Sequence, residues 1–171
     1  MDGKMSANSI FSLIAIILFT VTTSPVKAEV KVGDSSPKLV VSTLNGKEFD
    51  LARLKGKVVL IHFWATWCSA CRKEMPILNH FYQTYHQKNL EMIALSIDRT
   101  HERKDVMKVV SDFAFPLAMS SDAKENGFGS PNALPVTYLV DQTGKVNKIF
   151  KPGGEELSEK NLTDAYLILL H

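Results

Sequence analysis

The sequence has only two cysteines among 171 residues, a nearly balanced charge and no internal repeat. Two cysteines cannot build the set of several disulfides that stabilises many small secreted domains, nor the four-cysteine site of a structural zinc. The 20 Lys and Arg are interleaved with 18 Asp and Glu, which excludes the basic stripe of a nucleic-acid-binding protein. Length and composition predict one domain with one well-buried core.

The one long apolar run lies at the N-terminus. Lys4 gives a positive start, Ile10 to Val21 is apolar over about 12 residues, and Val26-Lys27-Ala28 offers small residues where a signal peptidase reads them. Because a bilayer span needs roughly 18 apolar residues, we expect residues 1–28 to be a cleaved signal peptide rather than a membrane anchor. Residues 29–171 are then the mature domain, exported to an oxidising compartment such as the periplasm.

Both cysteines follow directly behind an apolar run. Val58 to Trp64 reads Val-Val-Leu-Ile-His-Phe-Trp, and Ala-Thr-Trp then leads into Cys68-Ser-Ala-Cys71. A helix that begins at Cys68 gives its sulfur unpaired backbone N–H groups and the positive end of the helix dipole, and both favour the thiolate. Thiolate is the species that attacks disulfides, so the pattern predicts a dithiol/disulfide enzyme. A structural disulfide or a metal clip is the alternative.

Hydrophobic periodicity predicts an α/β fold, with a central mixed sheet and helices on both faces. Val58 to Trp64 suits a strand buried on both sides, and apolar residues at helical spacing predict a helix from near Cys68 to about Lys88. The further predicted elements are a strand over 39–44, a short amphipathic piece over 49–54, a strand over 92–97, a helix ending near 112, a single helical turn within 120–128 that Gly127 stops, a hairpin of 136–140 and 146–150, and a last helix around 162–169.

Several separate motifs carry a family resemblance. They are Cys68-x-x-Cys71 behind a buried strand, Pro76 after it, and Ala133-Leu134-Pro135-Val136 ahead of the predicted hairpin. With their surroundings they cover about 32–150, and they resemble the thioredoxin fold and, more narrowly, the exported TlpA/ResA-type thiol–disulfide oxidoreductases. The resemblance implies a thioredoxin-like domain over 29–171, with a TlpA-type insertion over 100–132 before the cis-proline strand.

The same resemblance implies roles for individual residues. Cys68 would be the exposed nucleophile and Cys71 the buried resolving thiol, and the two would form a redox-active disulfide. Pro135 would be cis and packed beside the pair, with the backbone of Leu134 free to pair with a substrate strand. Trp67 either packs locally or shapes the surface on which a protein substrate docks.

Two titratable residues are candidates for the proton acceptor that the buried Cys71 thiol needs. His62 occupies the strand position where thioredoxins place a buried acid, and Glu74 matches the acid at this spot in ResA-like reductases. Each has a plainer reading, because His62 could be a packed histidine and Glu74 an acid favoured by the helix dipole. The sequence leaves the choice between them open.

The resemblance implies a reductase of protein disulfides that receives electrons from a membrane thiol donor, with cytochrome c maturation as one task. A disulfide oxidase or isomerase, and a copper-binding thiol chaperone, are the alternatives. Covalent haem attachment is excluded because Arg72, not histidine, follows Cys71. We expect no cofactor, no resident metal and no nucleic-acid partner.

Overall fold

The computed structural model describes residues 29–170, and the predicted signal peptide lies outside them. Within this range the chain forms seven strands, three α-helices and two short 3₁₀ helices. The strands are β1 Leu39–Thr43, β2 Glu48–Asp50, β3 Val58–Trp64, β4 Leu90–Ser96, β5 Leu117–Asn126, β6 Val136–Val140 and β7 Val146–Phe150; the α-helices are α1 Ser69–Tyr85, α2 Arg103–Val109 and α3 Glu159–Ile168; the 3₁₀ helices are Leu51–Leu54 and Thr100–Glu102.

All seven strands belong to one mixed sheet, in the order β2-β1-β5-β4-β3-β6-β7. β3 pairs with β4 in parallel, β4 pairs with β5 in parallel, and the remaining neighbours are antiparallel. The predicted mixed sheet with flanking helices is therefore confirmed. No helix within residues 29–170 has the length and apolar character needed to cross a membrane.

β3 is the central strand that the apolar run predicts, and all seven of its residues are buried. Because side chains alternate along a strand, Val58, Leu60 and Trp64 contribute to one core cluster and Val59, Ile61 and Phe63 to the other. The buried residues of α1, α2 and α3 all join the first cluster, whereas Leu51 of the first 3₁₀ helix lies in the second. The three α-helices therefore cover only one face of the sheet. On the other face, where we also expected helices, the cover consists of this 3₁₀ helix and loops. By the same alternation the side chain of His62 points to the face covered by the α-helices.

Helix α1 begins directly after Cys68, as predicted, and ends at Tyr85, three residues before the predicted end. Its buried stripe of Met75, Leu78 and Phe81 packs on the sheet. Pro76 lies inside the helix on an exposed position. The amphipathic spacing therefore fixes which side of α1 faces the core, and the N-terminus of α1 brings the cysteine pair to the carboxyl end of β3.

The predicted helical turn within 120–128 is wrong, because this segment belongs to β5. Leu117 to Met119 pairs with β4, and the strand then continues along β1 as far as Asn126. Most of its residues after Met119 are partly or fully exposed, so the segment lacks the apolar alternation by which a strand is recognised in sequence. Gly127 does not stop a helix; a side chain there would collide with Pro37, because an added Cβ would lie 2.5 Å from the Pro37 Cβ.

The hairpin of β6 and β7 is confirmed, and it determines one side of the functional site. Asp141 shapes its turn by accepting hydrogen bonds from the backbone N–H groups of Thr143 and Lys145. β6 pairs with β3 so that Val136 lies opposite Phe63. The residues just before β6 are therefore placed beside the end of β3, where the chain leaves the sheet for the cysteine motif.

Candidate active site

Cys68 and Cys71 are joined by a disulfide at the N-terminus of α1, with their Cα atoms 5.3 Å apart. Cys68 is the N-cap residue, and its Sγ accepts a hydrogen bond from the backbone N–H of Cys71 over 3.1 Å. The N-terminal N–H groups of a helix have no partner within the helix, so this position favours negative charge on the sulfur. The arrangement is the one that lowers the pKa of a reactive cysteine.

Cys68 is largely buried in this oxidised state, so the expectation of an exposed Cys68 is wrong here, although the two cysteines still differ in exposure. Cys68 keeps 8% of its surface exposed, whereas Cys71 is fully buried. Trp67, immediately before the pair, has 66% of its surface exposed and projects into solvent. An incoming disulfide therefore meets Cys68 first and Trp67 beside it, which fits a nucleophile backed by a resolving thiol.

His62 is fully buried on β3 and hydrogen-bonds through Nδ1 to the Thr137 hydroxyl, over 2.8 Å. The other ring nitrogen, Nε2, is buried without a hydrogen-bond partner. Burial disfavours the charged imidazolium and lowers the pKa of His62 to about 3. The imidazole is thus neutral throughout the physiological range, which makes it a weak proton acceptor in this oxidised state.

Glu74 lies in the second turn of α1, with 15% of its side chain exposed. Burial, followed by repulsion from Glu156, raises the pKa of Glu74 to about 7. Its Oε2 atom is buried and has no hydrogen-bond partner. A carboxyl group with a pKa near neutrality can both accept and return a proton at physiological pH, as general acid–base catalysis requires.

The structure brings His62 and Glu74 together, with 4.0 Å between Nδ1 and Oε2. This contact is not an ion pair, because the imidazole carries no charge above a pKa of about 3 and Glu74 is largely protonated below a pKa of about 7. Two neutral groups side by side avoid the cost of burying a charge.

The Leu134–Pro135 peptide bond is cis, as the resemblance implies. Pro135 is buried and Leu134 half-buried, and Leu134 packs against the cluster that contains both cysteines. Because Val136 pairs with Phe63, Pro135 lies level with Trp64 at the end of β3. The segment with the cis peptide bond thus lies at the end of β3 from which the chain leads into the cysteine motif.

Two residues of the site were missed in the sequence, namely Thr137 and Asp98. Thr137 is fully buried opposite His62 in the pairing of β6 with β3. Asp98 is 4% exposed and accepts two hydrogen bonds from Thr66, which precedes Cys68 by two residues. The available signal was a polar residue near the start of β6 and another just beyond the end of β4, the two strands that neighbour β3.

Within residues 29–170 no group of three or more His, Cys, Asp or Glu side chains is arranged to hold a metal ion.

Comparison with known proteins gives the same chemistry. The Redoxin family profile matches residues 31–167. A thiol-disulfide oxidoreductase ResA from Bacillus cereus is 39% identical over 134 residues, which cover 78% of this chain and 76% of that protein. ResA of Bacillus subtilis (strain 168) is 29% identical over 123 residues, covering 72% and 69%.

A solved structure agrees with these relatives. The thioredoxin domain of a thiol-disulfide oxidoreductase from Bacteroides vulgatus has a TM-score of 0.65 and 27% identity, and the match covers 84% of this chain and all of that chain. The thioredoxin-like fold expected from the sequence is confirmed. With its cysteine pair capping a helix in this fold, the chain belongs to the Redoxin family and is a thiol–disulfide oxidoreductase.

Proposed function

We propose that this chain is an exported reductase of protein disulfides, in which Cys68 attacks the substrate and Cys71 resolves the mixed disulfide. The observation that carries the proposal is the difference between the two sulfurs, since the partly accessible one caps the helix and the other is fully buried behind it. The relatives named ResA support the class of reaction.

The reaction balances as two consecutive exchanges. The Cys68 thiolate attacks one sulfur of a substrate disulfide, forms a mixed disulfide and releases the other substrate sulfur as a thiolate. The Cys71 thiolate then attacks the Cys68 sulfur, which forms the Cys68–Cys71 disulfide and releases the second substrate thiolate. The substrate gains two electrons and the enzyme dithiol loses two.

Glu74 is the proton acceptor that we favour for Cys71. Burial of Cys71 disfavours its thiolate, so the second exchange needs a base nearby. Glu74 has a pKa of about 7, three residues after Cys71 on the same helix, whereas His62 has a pKa of about 3. In our proposal His62, bound to Thr137, is the neutral neighbour that lies 4.0 Å from the Glu74 carboxyl.

Substrate docking is proposed to involve Trp67, Leu134 and Pro135. Trp67 offers an exposed aromatic surface beside Cys68, and the backbone of Leu134, two residues before β6, would pair with an extended segment of the substrate. An exported location follows from the predicted signal peptide in residues 1–28, which would place the protein in the periplasm. A membrane thiol donor would then restore the dithiol, and cytochrome c maturation is the task that we propose.

A trapping experiment tests the proposal. Cys71→Ala leaves Cys68 able to form a mixed disulfide but removes the thiol that resolves it, so protein clients should remain covalently attached in a non-reducing gel. Cys68→Ala is the matched control and should trap nothing, because Cys71 is buried. If Cys71→Ala traps no exported protein while the wild type binds copper stoichiometrically, the copper-chaperone alternative replaces the proposal.

The direction of electron flow is tested separately by the midpoint potential. Equilibration with the glutathione and thioredoxin couples measures the midpoint potential of the Cys68–Cys71 pair. For a reductase we expect a value near that of thioredoxin, about −270 mV. A value as oxidising as about −120 mV would assign the protein to the disulfide oxidases or isomerases instead.

A further inference from the structure

A buried carboxyl group fastens the loop that carries the nucleophile. Asp98 follows β4 and is 4% exposed. Its Oδ2 accepts hydrogen bonds from the Thr66 backbone N–H over 2.9 Å and from the Ser96 hydroxyl over 2.6 Å, and its Oδ1 accepts one from the Thr66 hydroxyl over 2.6 Å. The Asp98 N–H donates in turn to the Ser96 Oγ, over 3.0 Å. Both carboxyl oxygens are thus held in a fixed orientation.

This cluster replaces the backbone ladder where two parallel strands separate. The last regular contact between β3 and β4 is the hydrogen bond from the Ile97 N–H to the Trp64 carbonyl, over 2.9 Å. Beyond it, β3 must turn out of the sheet so that Cys68 can begin α1. The hydrogen bonds from Thr66 to the Asp98 carboxylate link the segment that follows β3 to the segment that follows β4.

The link matters most when the disulfide is open. In the oxidised protein, the bond to Cys71 holds the Cys68 sulfur over the helix N-terminus. After reduction that covalent tie is lost, and the position of Cys68 depends on the loop that leads into it. A loop fastened at Thr66 keeps the free sulfur where the unpaired helix N–H groups stabilise its thiolate.

We propose that Asp98 is a positioning residue of the active site, which through Thr66 holds Cys68 at the N-terminus of α1 in the reduced enzyme. The inference rests on the proposed function only for its catalytic consequence. Its structural content concerns the ionisation and reactivity of Cys68, which are measured without any protein substrate.

The test compares two substitutions of the same residue in the reduced full-length mature protein. Asp98→Ala removes every acceptor, so we expect the apparent pKa of Cys68 to rise by about one unit and its alkylation by iodoacetamide at neutral pH to slow about tenfold. Asp98→Asn keeps the size and one acceptor oxygen for the Thr66 N–H. The alkylation profile of Asp98→Asn should stay close to that of the wild type, because this variant keeps the geometry that positions Thr66 and loses only the charge.

Asp122→Ala is the control for a general loss of stability. Asp122 receives a hydrogen bond from Arg103 at 2.6 Å and lies on β5, which β4 separates from β3. The Asp122→Ala variant should have a lower melting temperature but the same pH profile of Cys68 alkylation as the wild type. If Asp98→Ala behaves in the same way, Asp98 is a stability residue only and the inference is overturned.

Two further outcomes complete the test. If Asp98→Ala does not fold, Thr66→Val removes only the hydroxyl bond and should still slow the alkylation of Cys68; an unchanged profile for this variant contradicts the inference. If Asp98→Asn raises the pKa of Cys68 as much as Asp98→Ala does, positioning through the retained oxygen is refuted. Failure of the wild type to reduce any protein disulfide would refute the proposed function while leaving these alkylation results interpretable.

Discussion

Replacement of Glu74 by glutamine should make the stability of the oxidised protein less dependent on pH. The pKa of Glu74 is raised from 4.5 to about 7, mainly because burial disfavours its charge. Between these two values the native state binds the proton more tightly than the unfolded chain, so the wild type loses stability as the pH rises through this window. Glu74→Gln cannot ionise, and its stability lacks this loss.

The size of the effect follows from the shift. A change of about two and a half pKa units corresponds to at most about 3.4 kcal/mol. Water reaches 15% of the side chain and relieves part of that cost, so we expect the variant to gain about 1–2 kcal/mol over the wild type between about pH 4.5 and about pH 8.

Urea denaturation of the oxidised proteins across this range measures the difference directly. Glu125→Gln, at an exposed position, is the matched control for the loss of a carboxyl group. A constant difference in stability between Glu74→Gln and the wild type from low to high pH would show that the pKa of the Glu74 carboxyl is not raised in the folded protein. The role of Glu74 as proton acceptor would then lose its physical basis.

Three further results are expected. Thr137→Val should destabilise the protein by about 1–3 kcal/mol in urea denaturation, because it leaves the buried Nδ1 of His62 without its partner; no loss would mean that the ring finds another one. The ring signals of His62 in NMR spectra should not titrate between about pH 5 and about pH 8, given its pKa of about 3, and a midpoint in that range would contradict its burial. Gly127→Ala should lower the melting temperature, because its Cβ would collide with Pro37 and such overpacking costs about 1–3 kcal/mol of folding free energy. An unchanged melting temperature would show that Pro37 can move away from the added Cβ.

The elements that could be predicted from the sequence are those with a strong local pattern. β3 is apolar throughout, the stripe of α1 repeats at helical spacing, and the hairpin of β6 and β7 has a polar, glycine-containing turn. β5 could not be recognised because its outer half is held by backbone pairing with β1 while its side chains stay partly in solvent. Its pairing depends on residues distant in sequence, which no local pattern records.

The same division applies to the site. The cysteine pair was evident because the motif is local, and its position at the start of a helix is confirmed. Thr137 lies 75 residues from His62 and Asp98 lies 32 residues from Thr66, so both contacts follow from sheet register alone. The position of β3 in the sheet decides the burial of His62, and the packing of α1 decides that of Glu74. These two burials separate their pKa values and could not be read from their spacing.

The two tryptophans are placed so differently that they act as separate optical probes. Trp64 is enclosed in the core, and the indole of Trp67 stands in water next to the disulfide. Fluorescence from Trp64 should follow unfolding, whereas emission from Trp67 should respond to the opening of the disulfide and to a bound client. A Trp64→Phe protein would leave Trp67 as the sole tryptophan, so its emission would report the redox state in real time without an added dye.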